Sequence, residues 1–160
     1  MQPRIETIAK KKLVGKRIRM SLADPKQFEL WNGFMPRRKE IKSAASNDLY
    51  SVEVYDGLDY FKNFSPNTTF DEWAAVEVTD LNSVPEGFET LIIPAGLYAV
   101  FIHKGPSSKG FETYQYIFGA WLPSSDYILD HRPHFAVMGE KYKNEDPDSE
   151  EELWVPVMLK

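Results

Sequence analysis

The residues with the clearest chemical potential alternate along HRPHFAVMGEKY, residues 131–142. A proline opens this run, and in an extended strand successive side chains point to opposite faces of the sheet. One face carries Phe135 and Val137, an ordinary core pair. The other face places one methyl group among polar and aromatic side chains, and its members are His134, Ala136, Met138, Glu140 and Tyr142. We predict that this second face contacts a ligand.

Three residues elsewhere could supply an acid, a base or a hydroxyl group to such a site: Glu53, Glu77 and Tyr98. Glu53 precedes Ala136 by 83 residues, which is the spacing of an internal repeat, so it is a candidate substitute acid. Glu77 shares a strand face with Trp73, and both a pocket role and a solvated carboxylate stay open for it. A tyrosine hydroxyl in a cavity needs a partner, which a ligand or a water could supply.

The three histidines do not form a metal-binding motif. His103, His131 and His134 lack the spacing of a zinc site, and no acidic or thiol ligand is placed with them. The chain has no cysteine, which excludes disulfides, thiolate metal sites and a cysteine nucleophile. No glycine-rich phosphate loop, Ser-His-Asp signature or nucleotide motif occurs. We therefore predict neither a metal nor a cofactor.

Composition and charge indicate a soluble globular protein that does not bind nucleic acid. Of its 160 residues, 42% are hydrophobic and 27% are charged, while a net charge of −5 disfavours nucleic acid. No apolar run approaches membrane-spanning length and the N-terminus lacks a signal core, so we expect a cytoplasmic protein without a membrane partner. The unusual value is 14% aromatic residues, which is typical of a heavily packed core or an aromatic-lined cavity.

Hydrophobic periodicity predicts the elements that position these residues. Strands are predicted near 4–20, 49–56, 70–80, 89–104, 133–142 and 152–159, and helices near 25–42 and 108–121. Asp24 is the predicted N-cap of the first helix, with Pro25 in its first turn, and Pro36 should kink or restart that helix. Pro94 and Gly96 mark a bend or bulge in the fourth strand.

The same order of elements occurs twice. Three sequence matches recur at a spacing of 81 to 87 residues: Ile5-Glu6-Thr7 with Phe88-Glu89-Thr90, Met35-Pro36 with Leu122-Pro123, and Trp73 with Trp154. A duplicated βαββ unit explains all three matches. We therefore predict one α+β domain over residues 1–160, with an antiparallel sheet and pseudo-repeats 1–82 and 83–160. A cleft between the halves is the natural ligand site.

Several elements resemble the GyrI-like small-molecule-binding domains, also called AraC-type or BmrR-type effector-binding domains. The resemblance covers nearly the whole chain and is strongest in IPAGLYAVFIHKG, FETYQYIFGAWLPSSDY and ELWVPV of the second half, with FELWNGFMPRRKEI and EWAAVEV as first-half elements. It implies a tandem βαββ fold whose central pocket binds bulky hydrophobic molecules, often aromatic or cationic. Because no DNA-binding segment accompanies the domain, the chain resembles the stand-alone members.

One departure from the family pattern concerns the pocket acid. The resemblance places a glutamate where this chain has Ala136, so cation binding and hydrolysis would each lack their expected carboxylate. We predict binding of a bulky hydrophobic or aromatic molecule, with cyclopropane hydrolysis as the alternative and inhibition of an enzyme such as DNA gyrase as a third. The predicted pocket residues are Trp73, Glu77, Tyr98, Phe101, Trp121, His134, Ala136 and Met138, and the catalytic candidates are Glu53, Glu77 and Tyr98.

Overall fold

The computed structural model describes residues 1–57 and 65–160. Across these two ranges the chain forms an antiparallel sheet of nine strands with two main helices, so the predicted α+β class is confirmed. The strands are β1 Arg4–Ile8, β2 Lys11–Met20, β3 Leu49–Val54, β4 Phe70–Glu77, β5 Glu89–Ile93, β6 Gly96–Lys104, β7 Tyr127–Leu129, β8 His134–Met138 and β9 Glu150–Leu159.

Each main helix changes its winding along its length. Helix α1, Gln27–Phe34, continues as a 3-10 helix over Met35–Glu40. Helix α2 begins as an α-helix at Gly110–Tyr116, after a 3-10 turn at Ser107–Lys109, and continues as a π-helix over Ile117–Trp121; residues 110–121 together are called α2 below. A short helix α3, Leu122–Ser124, follows. The predicted break of the first helix near Pro36 is therefore found. In the described part of the chain no helix is long and apolar enough to cross a membrane.

The strand order is symmetric about the centre of the sheet. It reads β1-β6-β9-β8-β3-β4-β2-β5, with β7 paired to β9 outside this path. When β1, β2, β3 and β4 are matched to β5, β6, β8 and β9, the order maps onto itself from the opposite edge. The first strand of each half crosses to the other half, and β3 pairs with β8 at the centre. The division at residues 82 and 83 stays a prediction.

Two of the predicted strands are each two strands in the structure. Residues 4–20 divide into β1 and β2. Strand β1 pairs with β6 at one end of the strand order, and β2 pairs with β4 near the other end. Residues 89–104 divide at Pro94, which cannot donate a ladder hydrogen bond, so the predicted bend at Pro94 and Gly96 is found. The short strand β7 was not predicted, because three residues are too few to show a periodicity.

Two predicted element ends were wrong. Helix α1 begins at Gln27 after Lys26, because Asp24 closes a turn in which its N–H donates to the Ser21 carbonyl at 3.2 Å. The strand after Pro133 ends at Met138, and the chain turns there, with the Tyr142 N–H donating to the Gly139 carbonyl. Glu140 and Tyr142 therefore do not continue the strand face of Ala136.

The two faces of the sheet carry different side chains. One face, called the helix face here, packs under α1 and α2: Leu30 and Phe34 lie in one cluster with Ala74 and Val76, and Ile117 and Trp121 lie in another with Phe101, Ala136 and Leu153. The opposite face, called the aromatic face, carries a separate cluster. Its aromatic members are Tyr50, Trp73, Tyr98, Phe135 and Trp154.

Gly15 of β2 lies too close to the backbone of β4 to carry a side chain. A Cβ atom there would lie 2.1 Å from the Ala74 carbonyl oxygen and 2.7 Å from the Ala75 Cα atom, both backbone atoms of β4. We expect Gly15→Ala to lower the free energy of unfolding by about 3 kcal/mol, because neither strand can shift without disturbing its own ladder. Urea denaturation measures the change.

Gly33 of α1 provides the matched control. A Cβ atom at Gly33 meets nothing within 4 Å, so Gly33→Ala should stabilise the protein by up to about 1 kcal/mol through helix propensity. If Gly15→Ala is as well tolerated as Gly33→Ala, the register of β2 against β4 is incorrect.

Candidate functional site

The candidate site lies on the helix face where the two halves meet. Strand β3 pairs with β8 on one side and with β4 on the other, which places Glu53 directly opposite both His134 and Glu72. In the neighbouring row, Ser51 lies opposite Ala136. Directly opposed residues of an antiparallel pair have their Cβ atoms about 5 Å apart. The backbone ladder alone therefore brings two carboxyl groups together; Glu53 and Glu72 are called the carboxyl pair below.

Aromatic rings surround the row of His134 and Glu53. The His134 ring contacts Tyr55 edge-on, with ring centroids 5.0 Å apart, and lies 6.1 Å from Phe118 of α2. Phe118 stacks on Tyr114 with an interplanar angle of 8°, and Tyr55 continues to Phe70 at 5.4 Å. These rings come from β4, α2 and the end of β3, so they form apolar walls around a polar centre.

Glu72 is buried with one hydrogen bond. Its exposed fraction is 3%, and its Oε1 atom accepts a hydrogen bond from the Ser51 hydroxyl at 2.6 Å. Burial raises the pKa of Glu72 to about 8, an effect that the Ser51 hydrogen bond opposes without cancelling. The side chain is therefore mostly protonated at neutral pH.

Glu53 has a buried oxygen without a partner. The residue as a whole keeps some exposure, but its Oε2 atom is closed to solvent and has no hydrogen-bond partner among the described residues. Burial, followed by the nearby charges of Glu72 and Glu151, raises the pKa of Glu53 well above its ordinary value. An unsatisfied buried oxygen is costly, so this atom marks a position where a donor would be stabilising.

Within residues 1–57 and 65–160, the other groups with shifted pKa values at the site carry no positive charge. Burial, with a smaller effect of Arg132, lowers the pKa of His134 to about 3, so its ring is neutral. Burial and then the charges of Glu53, Glu151 and Glu72 raise the pKa of Tyr114, which keeps its hydroxyl protonated. Burial also raises the pKa of Glu151, although the Ser107 hydroxyl donates to its Oε1 atom at 3.2 Å.

Comparison with known proteins decides the family. The sequence profile of the GyrI-like small molecule binding domain matches residues 1–158. The chain belongs to the GyrI-like family. A curated GyrI-like relative, the transcriptional regulator BrlR of Pseudomonas aeruginosa, is 32% identical over 130 residues, which are 81% of this chain and 45% of BrlR. The chain thus spans less than half the length of that regulator.

Solved structures show the same GyrI-like fold. SAV2435 bound to tetraphenylphosphonium has a TM-score of 0.69 at 14% identity, over 99% of this chain and 94% of that one. The C-terminal domain of EcmrR has a TM-score of 0.69 at 18% identity, over 99% and 98% of the two chains. At these identities the likeness concerns the fold.

The pocket residues predicted from the sequence divide between the two faces of this GyrI-like sheet. Those on the helix face are Phe101, Trp121, His134, Ala136 and Met138, and those on the aromatic face are Trp73, Glu77 and Tyr98. Of the three catalytic candidates, only Glu53 lies on the helix face.

The aromatic-face candidates already have partners in the protein. Glu77 accepts a hydrogen bond from the Tyr50 hydroxyl at 3.3 Å and pairs with Lys11 at 3.4 Å. The Tyr98 hydroxyl donates to the Pro133 carbonyl at 2.7 Å. On the helix face, Ala136 is buried in the apolar cluster with Ile117 and Trp121, and its methyl group packs under α2.

Several site residues were missed from the sequence: Ser51, Tyr55, Glu72, Tyr114 and Phe118. Glu72 extends by one pleat the strand face of Ala74 and Val76, which are both aliphatic. A glutamate at the start of an otherwise aliphatic strand face is the sequence feature that would have indicated Glu72 as a site residue. The pairing of β3 with β4, which brings Glu72 opposite Glu53, has no local sequence signature.

Metal-binding groups and surface grooves give no competing site. Within residues 1–57 and 65–160, no group of three or more histidine, aspartate or glutamate side chains is arranged to hold a metal ion. His103 is held between the Thr113 hydroxyl and the Pro106 carbonyl, at 2.8 and 2.9 Å, and so fixes the start of α2. An open groove of about 350 Å³ near residues 139–141 contains neither member of the carboxyl pair.

The raised pKa of Glu72 makes stability depend on pH. A carboxyl group whose pKa rises on folding stabilises its protonated folded form, so that stability is lost as the pH rises toward the folded value. The depressed pKa of His134 acts only below its ordinary value of 6.5. Between pH 6.5 and pH 8, the window given by the values of 6.5 and about 8, we expect Glu72 to lower the unfolding free energy by about 1 kcal/mol per pH unit, and Glu53, whose pKa is also raised, to add to this fall.

The variant Glu72→Gln should make this fall less steep by about 1 kcal/mol per pH unit, because an amide does not titrate, while Glu53 keeps the remainder of the fall. Glu29→Gln, on the exposed part of α1, removes a charge elsewhere and should leave the slope of the wild type. Urea denaturation at the two pH values measures both. A slope in Glu72→Gln as steep as in the wild type would show that Glu72 is not buried in a protonated form.

Proposed function

We propose that this chain binds a bulky aromatic cation on the helix face, with Glu53 and Glu72 as its counter-charges. The observation that carries the proposal is the buried Oε2 atom of Glu53, which has no hydrogen-bond partner in the described part of the chain and faces the row of Glu72. The family is a small-molecule-binding one, and SAV2435, which shares the fold, is bound to tetraphenylphosphonium.

The energetics of the carboxyl pair favour a positively charged ligand. Burial removes the hydration of both carboxyl groups, and the nearby charge of Glu72 also acts on Glu53, so the pair keeps its protons without a ligand. A bound cation would compensate both effects and allow the pair to ionise. Binding of the cation therefore releases protons from Glu53 and Glu72. A site whose carboxylates were already paired with lysine or arginine would release none.

The walls of the site favour an aromatic ligand. Tyr114 and Phe118 present stacked rings from α2, and Tyr55 and Phe70 present tilted rings from the sheet. Aromatic rings attract a cation through their negative faces and offer a large apolar contact area. His134 adds a neutral ring beside Glu53. In this proposal a carboxylate at position 136 is not required for cation binding, because Glu53 of β3 and Glu72 of β4 supply two. Trp73, Glu77 and Tyr98 lie on the other face and are not part of the proposed site.

Tetraphenylphosphonium tests the proposal, because its charge does not change with pH. We expect it to quench tryptophan fluorescence and to bind about tenfold more tightly at pH 8 than at pH 6.5, as the carboxyl pair ionises. Glu53→Gln and Glu72→Gln should each weaken binding at pH 8 by about tenfold or more. Glu77→Gln, which removes a carboxylate from the aromatic face, is the matched control.

Two outcomes would oppose the proposal. The first is a failure of the wild-type protein to bind aromatic cations, tetraphenylphosphonium included, whether or not it binds neutral aromatic compounds. The second is equal loss of binding in Glu77→Gln and Glu53→Gln, which would place the site on the aromatic face.

Hydrolysis is a second candidate function that the carboxyl pair favours. A protonated carboxyl group beside an ionised one is the arrangement that general acid–base catalysis needs, since one group protonates the leaving atom and the other activates water. Glu53 and Glu72 lie directly opposite each other, with raised pKa values, and could perform these two roles on a strained cyclopropane substrate.

The variant Ala136→Glu tests whether a further carboxyl group in the site changes cation affinity or hydrolysis. Ala136→Glu would place a third carboxyl group opposite Ser51 and inside an apolar cluster, so we expect a stability loss of about 2 kcal/mol or more. We expect this variant to gain affinity for cations or to gain cyclopropane hydrolysis. Ala136→Leu changes the volume without a charge and should gain neither. Equal turnover in the wild type and Ala136→Glu would assign catalysis to Glu53 and Glu72.

A further inference from the structure

Resting on the proposed function, we propose that the Glu53–Glu72 pair selects cations that carry N–H donors, such as primary ammonium or amidinium groups, over cations that have none. The orphan Oε2 atom of Glu53 requires a hydrogen-bond donor, which charge alone does not provide. The same site could accept a quaternary or phosphonium cation by charge, but that ligand would leave the oxygen unsatisfied.

The hydrogen-bond inventory of the carboxyl pair is far from complete. Each ionised carboxylate offers two oxygens with about four lone-pair positions. Among the described residues, the hydrogen bond that reaches the pair comes from the Ser51 hydroxyl to the Oε1 atom of Glu72. Because Glu53 and Glu72 are directly opposed across β3 and β4, their free oxygens lie over one patch of the sheet. One ligand group with two or three N–H bonds could satisfy both side chains.

The groups that face the pair from the surrounding elements do not replace such a donor. In the part of the chain that the structure describes, they are Ser51 of β3, His134 of β8, Glu151 of β9 and Tyr114 of α2, and they include no lysine or arginine. Glu151 adds negative charge, and the Tyr114 hydroxyl does not hydrogen-bond to the Oε2 atom of Glu53. None of these surrounding groups donates a hydrogen bond to the Oε2 atom of Glu53, so this oxygen is available to a ligand.

The two kinds of cation lose different amounts of hydration on binding, so which of them binds more tightly shows whether the site offers a free acceptor. An ammonium group loses strong hydration when it enters an apolar site, whereas a trimethylammonium group loses less. In a site without a free acceptor, the trimethylated ligand would therefore bind more tightly. In this site the N–H bonds regain charge-assisted hydrogen bonds to Glu53 and Glu72, which reverses the order. We expect a preference of about tenfold or more for the N–H ligand.

The test uses two ligands with the same biphenyl body and the same charge, 4-phenylbenzylammonium and its N,N,N-trimethyl analogue, in which methyl groups replace the N–H bonds. Loss of the preference in Glu53→Gln separates hydrogen bonding from the added volume of the methyl groups. Isothermal titration calorimetry with the wild-type protein at about pH 8 keeps both ligands charged, since an amine retains its proton below its pKa. We expect the primary ammonium to bind at least tenfold more tightly. Glu53→Gln should remove most of this preference, and Glu77→Gln should retain it.

Each outcome decides one of the two proposals. Three results for the wild type overturn the inference and leave cation binding intact. They are equal affinity for the two ammonium ligands, tighter binding of the trimethyl analogue, and binding of tetraphenylphosphonium but of neither ammonium ligand. Failure of all three cations to bind the wild type overturns the proposed function itself. The wild-type comparison decides the preference even if Glu53→Gln does not fold. If that variant does not fold, Glu72→Gln serves instead and should reduce the same preference.

Discussion

The antiparallel pairing of β3 with β8 is the interaction on which the rest of the structure depends. It is the one ladder at the centre of the symmetric strand order, and it joins strands that come from different halves of the chain. Its register aligns Glu53 with His134 and Ser51 with Ala136. A slip of β8 by one residue would turn His134 and Ala136 to the aromatic face, away from Glu53 and Ser51, because successive strand residues alternate between faces.

This central ladder also explains why the site carries unsatisfied polar groups. Helix α1 covers the aliphatic part of β4, and α2 covers Ala136 and its neighbours on β6 and β9. Between the two helices, Glu53 and Glu72 are buried by aromatic rings, without a lysine or arginine as a partner in the described ranges. Stability alone would favour apolar residues at these two positions, since a buried unpaired carboxyl group is destabilising. Ligand binding is the function that this arrangement serves best.

Much of the architecture could be predicted from the sequence, because it rests on local patterns. Alternation gave the strands, aromatic spacing gave the helices, and Pro36 and Pro94 marked the breaks where the backbone changes its conformation. The repeat spacing also singled out Glu53, which the structure brings into the site opposite Glu72. Trp73 and Tyr98 could not be assigned to a face in the same way. Alternation tells which residues of one strand share a face, whereas only the register between strands tells which faces coincide, and here both faces of β4 are buried.

The central claim is that Glu53 and Glu72 form a buried, proton-holding pair that ionises when a cation binds. Carboxyl-carbon NMR of protein labelled at glutamate measures this directly, with Glu53→Gln and Glu72→Gln used to assign the two resonances. The account predicts that both resonances report a protonated group at neutral pH in the free protein and shift toward the ionised form when tetraphenylphosphonium is added. If both resonances titrate in the ordinary range of glutamate, roughly 4 to 4.5, and do not respond to the cation, the account is contradicted.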